Sequence, residues 1–276
     1  MGKKPANVGA TSPAAMRHRV TGMLFGLAAG DRNGGPVRMA LELAEALVEA
    51  GGFDPERVFA RYLAWWEAGG FDTGPVAEQV FRLAAEGCPR EEAVRRVDSE
   101  LGGRTAGCNP LHRVAPLAAA AAVPEESLAD AARAEAGLTH LHPLAQDGAA
   151  AVAVLCRSLA LGRPWQEALG DAAASARLPE TAAAIGGAAE GPAGAGGYAP
   201  EVLQTALHFV GRHRSLEDAL ASAIGYAGPA NYCPVLVGAI GGARWGVDEG
   251  LLARFPPTVP VERLERLAGA LAAGWG

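Results

Sequence analysis

Apolar residues in this chain recur at helical spacing and stop at short, polar, glycine-rich breaks. Residues 20–29 (V-T-G-M-L-F-G-L-A-A) are small and apolar all round, the pattern of a helix buried on every side, and the run ends at Gly30-Asp31-Arg32-Asn33-Gly34-Gly35-Pro36. Met39, Leu43, Ala46, Leu47 and Ala50 share one helical face, and Gly51-Gly52 stops that helix. Asp54-Pro55-Glu56 supplies an N-cap and a first-position proline for a helix running through Trp66, in which Tyr62, Trp65 and Trp66 fall at core spacing. Further helices are predicted over 76–85, 89–100, an Ala-rich stretch after Arg113, 147–160, 201–210 and 215–224, the last capped by Ser215.

The breaks carry the distinctive chemistry. They are 30–36, 69–75 (G-G-F-D-T-G-P), 102–110 (G-G-R-T-A-G-C-N-P) and 138–143 (L-T-H-L-H-P). A fifth, 186–197 (G-G-A-A-E-G-P-A-G-A-G-G), is low in complexity and predicts a mobile surface loop. Polar loops on a helical scaffold are where binding and catalysis usually sit.

Composition narrows the class. Half of the 276 residues are hydrophobic, enough for one large core, and aromatics are only 6%. An Ala- and Gly-rich chain with few alternating segments predicts an all-α protein, organised as a tail over 1–16 and a single domain over 17–276. The net charge of −6, without a basic stripe, argues against a nucleic-acid partner. Cys88, Cys108, Cys156 and Cys233 are scattered, without C-x-x-C spacing, and read as reduced thiols of a cytoplasmic protein. The first fifteen residues lack the apolar segment of a signal peptide, and no apolar run is long enough to span a bilayer.

Four segments, in order, resemble the ADP-ribosylglycohydrolase (dinitrogenase-reductase-activating glycohydrolase) family. Residues 22–31 (G-M-L-F-G-L-A-A-G-D) are similar to its opening G-x-x-x-G-x-A-x-G-D, and 107–117 (G-C-N-P-L-H-R-V-A-P-L) to its G-N-G-x-x-M-R-x-x-P-L loop. Thr139-His140-Leu141-His142-Pro143 is similar to its T-H-x-x-P, and 227–246 (A-G-P-A-N-Y-C-P-V-L-V-G-A-I-G-G-A-R-W-G) to its distal metal-binding segment, whose rear half, 237–243, is a small-residue helix. Residues 198–203 (Y-A-P-E-V-L) fit more loosely. The resemblance implies a compact orthogonal multi-helix bundle with a cleft lined by the Gly30, Phe71, Gly107, Thr139 and Gly228 loops. It also implies a glycosidase-type hydrolase acting on ADP-ribose or a related ribosyl compound, through a pair of bound metal ions.

The departures fall on that metal pair. Where the family reads G-G-D-x-D-T, the matching positions are Pro229, Asn231 and Tyr232; Arg38 stands near the place of a ligand Glu, and the D-D-T before the second helix is missing. Mg²⁺ demands hard oxygen ligands, so no family-type dinuclear Mg site and no other cofactor is expected. Two functions stay open: a metal-independent hydrolase, or an inactive pseudoenzyme that binds a nucleotide, a sugar phosphate or a protein partner. A third arrangement has the cleft closed by Tyr232 and Arg38. The expected partner is a small nucleotide or ribosyl ligand, with a homo-oligomer left open.

For a hydrolase, Asp72 is the candidate base and His140 or His142 the acid. Asp31, Thr73, Asn109, His112, Arg113 and Asn231 are the candidate substrate-binding residues. Each has a plainer reading. Asp31 is either a cleft residue or an Asx turn; Asp72 and Thr73 equally suit the N-cap of the following helix. Arg113 either forks a phosphate or pairs with an internal carboxylate. His140 and His142, with Asp147, either bind a transition metal or make helix-start hydrogen bonds. Cys108 reads as a small buried residue rather than a nucleophile.

Overall fold

Gly22, Gly26 and Gly30 recur every fourth residue, and so do Pro234, Gly238 and Gly242. In the computed structural model, which describes residues 11–248 and 250–275, the two stripes meet main chain to main chain. Gly22 faces Gly242, Gly26 faces Gly238, and Gly30 faces Pro234, so the two helices run antiparallel. A Cβ built on Gly238 would lie 1.9 Å from the Gly26 carbonyl oxygen, and one on Gly26 2.1 Å from that of Gly238. Only glycine permits this approach.

Among the described residues the helices are α1 (Pro13–Gly30), α2 (Gly35–Ala50), α3 (Pro55–Glu67), α4 (Pro75–Ala85), α5 (Arg90–Glu100), α6 (Asn109–Arg113), α7 (Ala115–Ala119) and α8 (Glu125–Gly137). They continue with α9 (Pro143–Ala160), α10 (Trp165–Ser175), α11 (Pro179–Gly186), α12 (Ala199–Arg212), α13 (Leu216–Ala227), α14 (Tyr232–Trp245), α15 (Leu251–Arg254) and α16 (Val261–Ala272). A 3-10 turn, Gly187–Ala189, follows α11. The glycine stripes pair α1 with α14. Helix α9 runs through the middle and touches α1, α6, α7, α8, α10, α11, α12 and α14. The buried side chains form one cluster that reaches from α1 to α16. The all-α class therefore holds, and none of the described helices is long and apolar enough to cross a membrane.

Several ends form as the sequence predicts. Gly51 closes α2 at φ +65°, Asp54 accepts the Glu56 and Arg57 amides, and Ser215 accepts the Asp218 amide. Others differ. Helix α1 begins at Pro13, capped by Ser12, and the Thr11 hydroxyl donates to the Leu161 carbonyl, so 13–16 are helix rather than tail. Residues 1–10 of the predicted tail lie outside the described residues. The glycine-rich stretch 186–197 is fastened rather than loose. The Thr205 hydroxyl accepts the Ala193 and Gly194 amides, and Gln204 donates to the Gly187 and Gly191 carbonyls. Helices α10, α11, α15 and α16 lie outside the predicted set; α10 and α11 are Ala-rich and α15 is a single turn, whereas α16 carries Leu264, Leu267, Ala268 and Leu271 on one buried face, a periodicity the sequence does show.

Candidate functional site

Antiparallel packing of α1 on α14 carries the end of the first helix to the start of the second, and there Asp31 meets Asn231. Asp31 is 1% exposed. Its Oδ1 accepts the Gly34 amide at 2.7 Å, the Asn33 amide at 3.1 Å and Asn231 Nδ2 at 2.7 Å; its Oδ2 accepts the Val37 amide at 2.7 Å. Asn231 Oδ1 in turn accepts the Arg32 amide at 3.2 Å. The Arg32 guanidinium donates to the Gly228 carbonyl at 2.8 Å and to that of Ala230. Asp31 is thus a buried organiser of the loop, as in the Asx-turn reading. Its carboxylate is spent on these donors, which corrects the expectation that it contacts a ligand.

Above this network lies a cleft of about 240 Å³ lined by Asn33, Pro36, Asp72, Asn109, His112, Pro229, Ala230, Asn231 and Tyr232. The loops at Gly30, Phe71, Gly107 and Gly228 reach it as expected; the Thr139 loop does not. Asp72 is its one carboxylate. Among the described residues it is the one non-glycine with positive φ, at +55°, a conformation Asp tolerates better than most. Partial desolvation raises its pKa; a hydrogen bond from Asn33 opposes the shift and the negative charge of Asp31 adds to it. Gly74, at φ +78°, lets Asn109 in: a Cβ there would lie 2.4 Å from Asn109 Oδ1. His112 is 2% exposed and its Nε2 has no partner. Burial holds its pKa down at about 4, opposed by a hydrogen bond to the Tyr232 main chain and helped by Arg113, so the ring is neutral at pH 7. Tyr232, 40% exposed, forms a wall and packs against Gly197.

The structure thus brings together Asp72, Asn109, His112 and Asn231 from the predicted set, and adds Asn33, Pro36 and Tyr232. Asn33 stands in the same glycine-rich break as Asp31, and its position in that polar loop is the sequence signal for it.

Other predicted residues lie elsewhere. Thr73 is buried and donates to Glu78 Oε2 at 2.9 Å; it neither caps α4, whose N-cap is Gly74, nor lines the cleft. Arg113 is fully buried. It pairs with Glu135 Oε1 at 2.6 Å, donates to the Thr139 hydroxyl at 2.9 Å and sits over the Tyr62 ring, so it binds an internal carboxylate, not a phosphate in the cleft. His140 is also fully buried, and desolvation followed by Arg113 holds its pKa well below the usual range. The Thr139 hydroxyl, which accepts from Arg113, also lies in hydrogen-bond contact with His140 Nδ1 at 2.8 Å. His142 caps α9 through Nδ1, accepting the Leu144 amide, and lines a separate hollow of about 400 Å³ with Arg104 and Tyr198. Neither histidine reaches the cleft as an acid. Asp147 is committed to Arg133 and to the Arg177 and Leu178 amides, and no His/Cys/Asp/Glu cluster suited to a metal exists among the described residues. Burial pushes the Cys108 thiol up to about 12, against the nucleophile reading. Arg38 turns from the cleft to the Thr258 and Gly34 carbonyls and stacks on Phe71, so it does not close the cleft.

The sequence profile of the family described as ADP-ribosylglycohydrolase matches residues 37–276. The chain belongs to the ADP-ribosylglycohydrolase family. A solved structure entitled "ADP-ribosylglycohydrolase-related protein complex" shares the fold, with a TM-score of 0.78 and 27% identity over 95% of this chain and all of that one. No curated protein matches the sequence. Among the residues lining the cleft, Asp72 is the one carboxylate. Beside it, Asp31 Oδ2 accepts the Val37 amide, Asn231 turns its NH₂ toward Asp31 Oδ1, and Pro229 has no side-chain oxygen.

Proposed function

We propose that this ADP-ribosylglycohydrolase-family chain binds a ribosyl ligand, such as the ribose of ADP-ribose, in the Asp72–Asn109–Asn231 cleft without hydrolysing it and without a divalent cation. The observation that carries this reading is the lining itself. It offers amides (Asn33, Asn109, Asn231), a phenol and one carboxylate, groups that hydrogen-bond sugar hydroxyls. Glycoside cleavage needs an acid for the leaving group and a second group for the developing cation or the water. In the cleft His112 stays neutral at pH 7, and no second carboxylate stands opposite Asp72.

The test is ADP-ribose release from ADP-ribosyl-arginine and ADP-ribosyl-serine, with Mg²⁺ and with EDTA, run beside a binding titration. Saturable binding with no turnover supports the reading, and turnover under either condition overturns it. One observation favours a second reading, a hydrolase with Asp72 as general base: its left-handed backbone and raised pKa are features that gather at catalytic residues. In that case turnover appears and is lost in Asp72→Asn.

A further inference from the structure

Residues 31 and 231 are 200 positions apart and joined by a 2.7 Å hydrogen bond at the meeting of α1 and α14. The glycine contacts seat those helices main chain to main chain, with no room to move closer. Every polar atom at this junction has a role of fixed sign. Asp31 can only accept, so the Asn231 NH₂ must face it; the Arg32 amide can only donate, so the Asn231 carbonyl must face Arg32. We infer that Asn231 is a positioning residue that ties the Gly30 loop to the Gly228 loop in the way a bridging cation otherwise would, leaving the cleft assembled without metal.

The argument is one of charge. An aspartate at 231 would set two carboxylates within hydrogen-bond distance, where both cannot ionise without a proton or a cation between them. The amide removes that requirement and donates where a cation would sit. Arg32 completes the tie by donating to the Gly228 and Ala230 carbonyls. The other titratable groups lining the cleft are Asp72, whose pKa is raised in part by the charge of Asp31, His112 and the Tyr232 phenol.

Thermal unfolding of the full chain at pH 7.5 tests this, whichever ligand the cleft takes. The parent midpoint should be the same in EDTA and in millimolar Mg²⁺ or Ca²⁺. Asn231→Asp in EDTA should melt about 5–10 °C lower, and divalent cation should restore at least half of the loss. If Asn231→Asp does not fold, Asn231→Ala, which removes the tie without adding charge, should melt about 3–5 °C below the parent and ignore cations. A parent that loses stability in EDTA overturns the inference. So does Asn231→Asp matching the parent in EDTA or failing to respond to cation, or Asn231→Ala melting with the parent. None of these readouts depends on ribosyl binding.

Discussion

Asp72 and Arg113 show how burial decides the role of a charged residue. Asp72 stands at the cleft with its pKa raised by desolvation. A raised carboxylate pKa means that the folded chain holds the proton more tightly than the unfolded one, so ionised Asp72 costs stability at neutral pH. Asp72→Asn keeps a side chain suited to the left-handed backbone. It should leave Tm unchanged or raise it by about 1 °C while weakening ribosyl binding at least tenfold; a Tm several degrees lower would make the charge structural instead. Arg113 is the converse. Arg113→Ala leaves Glu135 buried and unpaired and should cost about 3–5 kcal/mol by denaturant unfolding. Arg113→Lys, where it folds, should bind ADP-ribose within about twofold of the parent, and a larger loss would return Arg113 to the ligand site. From sequence both arginine readings were open, because nothing local announces Glu135, 22 residues away on another helix.

At the scale of elements, the α1–α14 contact sets the cleft. Gly26→Ala or Gly238→Ala drives a methyl into the opposing main chain and should cost about 1–3 kcal/mol or more, with loss of the Asp31–Asn231 bond. Gly225→Ala, in α13 where an added Cβ meets nothing within 4 Å, should stabilise by about 0.5–1 kcal/mol. Equal effects from the interior and surface substitutions would contradict the close-packing account. The stripes were legible, since four-residue spacing of small residues can be read directly. Their pairing was not, because any two such stripes could meet. Caps at Asp54 and Ser215 were legible because the signal is local; α16 was legible too, from Leu264, Leu267 and Leu271 at helical spacing, whereas the Ala-rich α10 gave little warning. Asp72 and Thr73 were equally suited to a cap and to a site, and tertiary packing sent one to the cleft and the other to Glu78.

For the whole molecule, two buried neutral histidines set the acid response. His112 and His140 bind protons in the unfolded chain below about pH 6.5 but not in the fold, so stability falls as pH drops from 6.5 toward 4. The slope is up to about 1.4 kcal/mol per pH unit for each. Most of the fall should come between pH 6.5 and 4.5, before the carboxylates titrate, and His112→Gln should flatten it; a parent curve flat over that window would contradict the burial of both rings. The family and the helical class were legible from motifs spread along the chain. The departures from the family's metal motif were legible as residues, whereas the hydrogen bond between residues 31 and 231 emerges only when they meet in space. The central claim is a ribosyl-binding cleft that needs no divalent cation. Calorimetric titration of the chain with ADP-ribose, in EDTA and again in Mg²⁺, tests it most directly. The account predicts saturable binding with the same Kd in both; binding that appears only with Mg²⁺, or no binding at millimolar ligand in either, would contradict it.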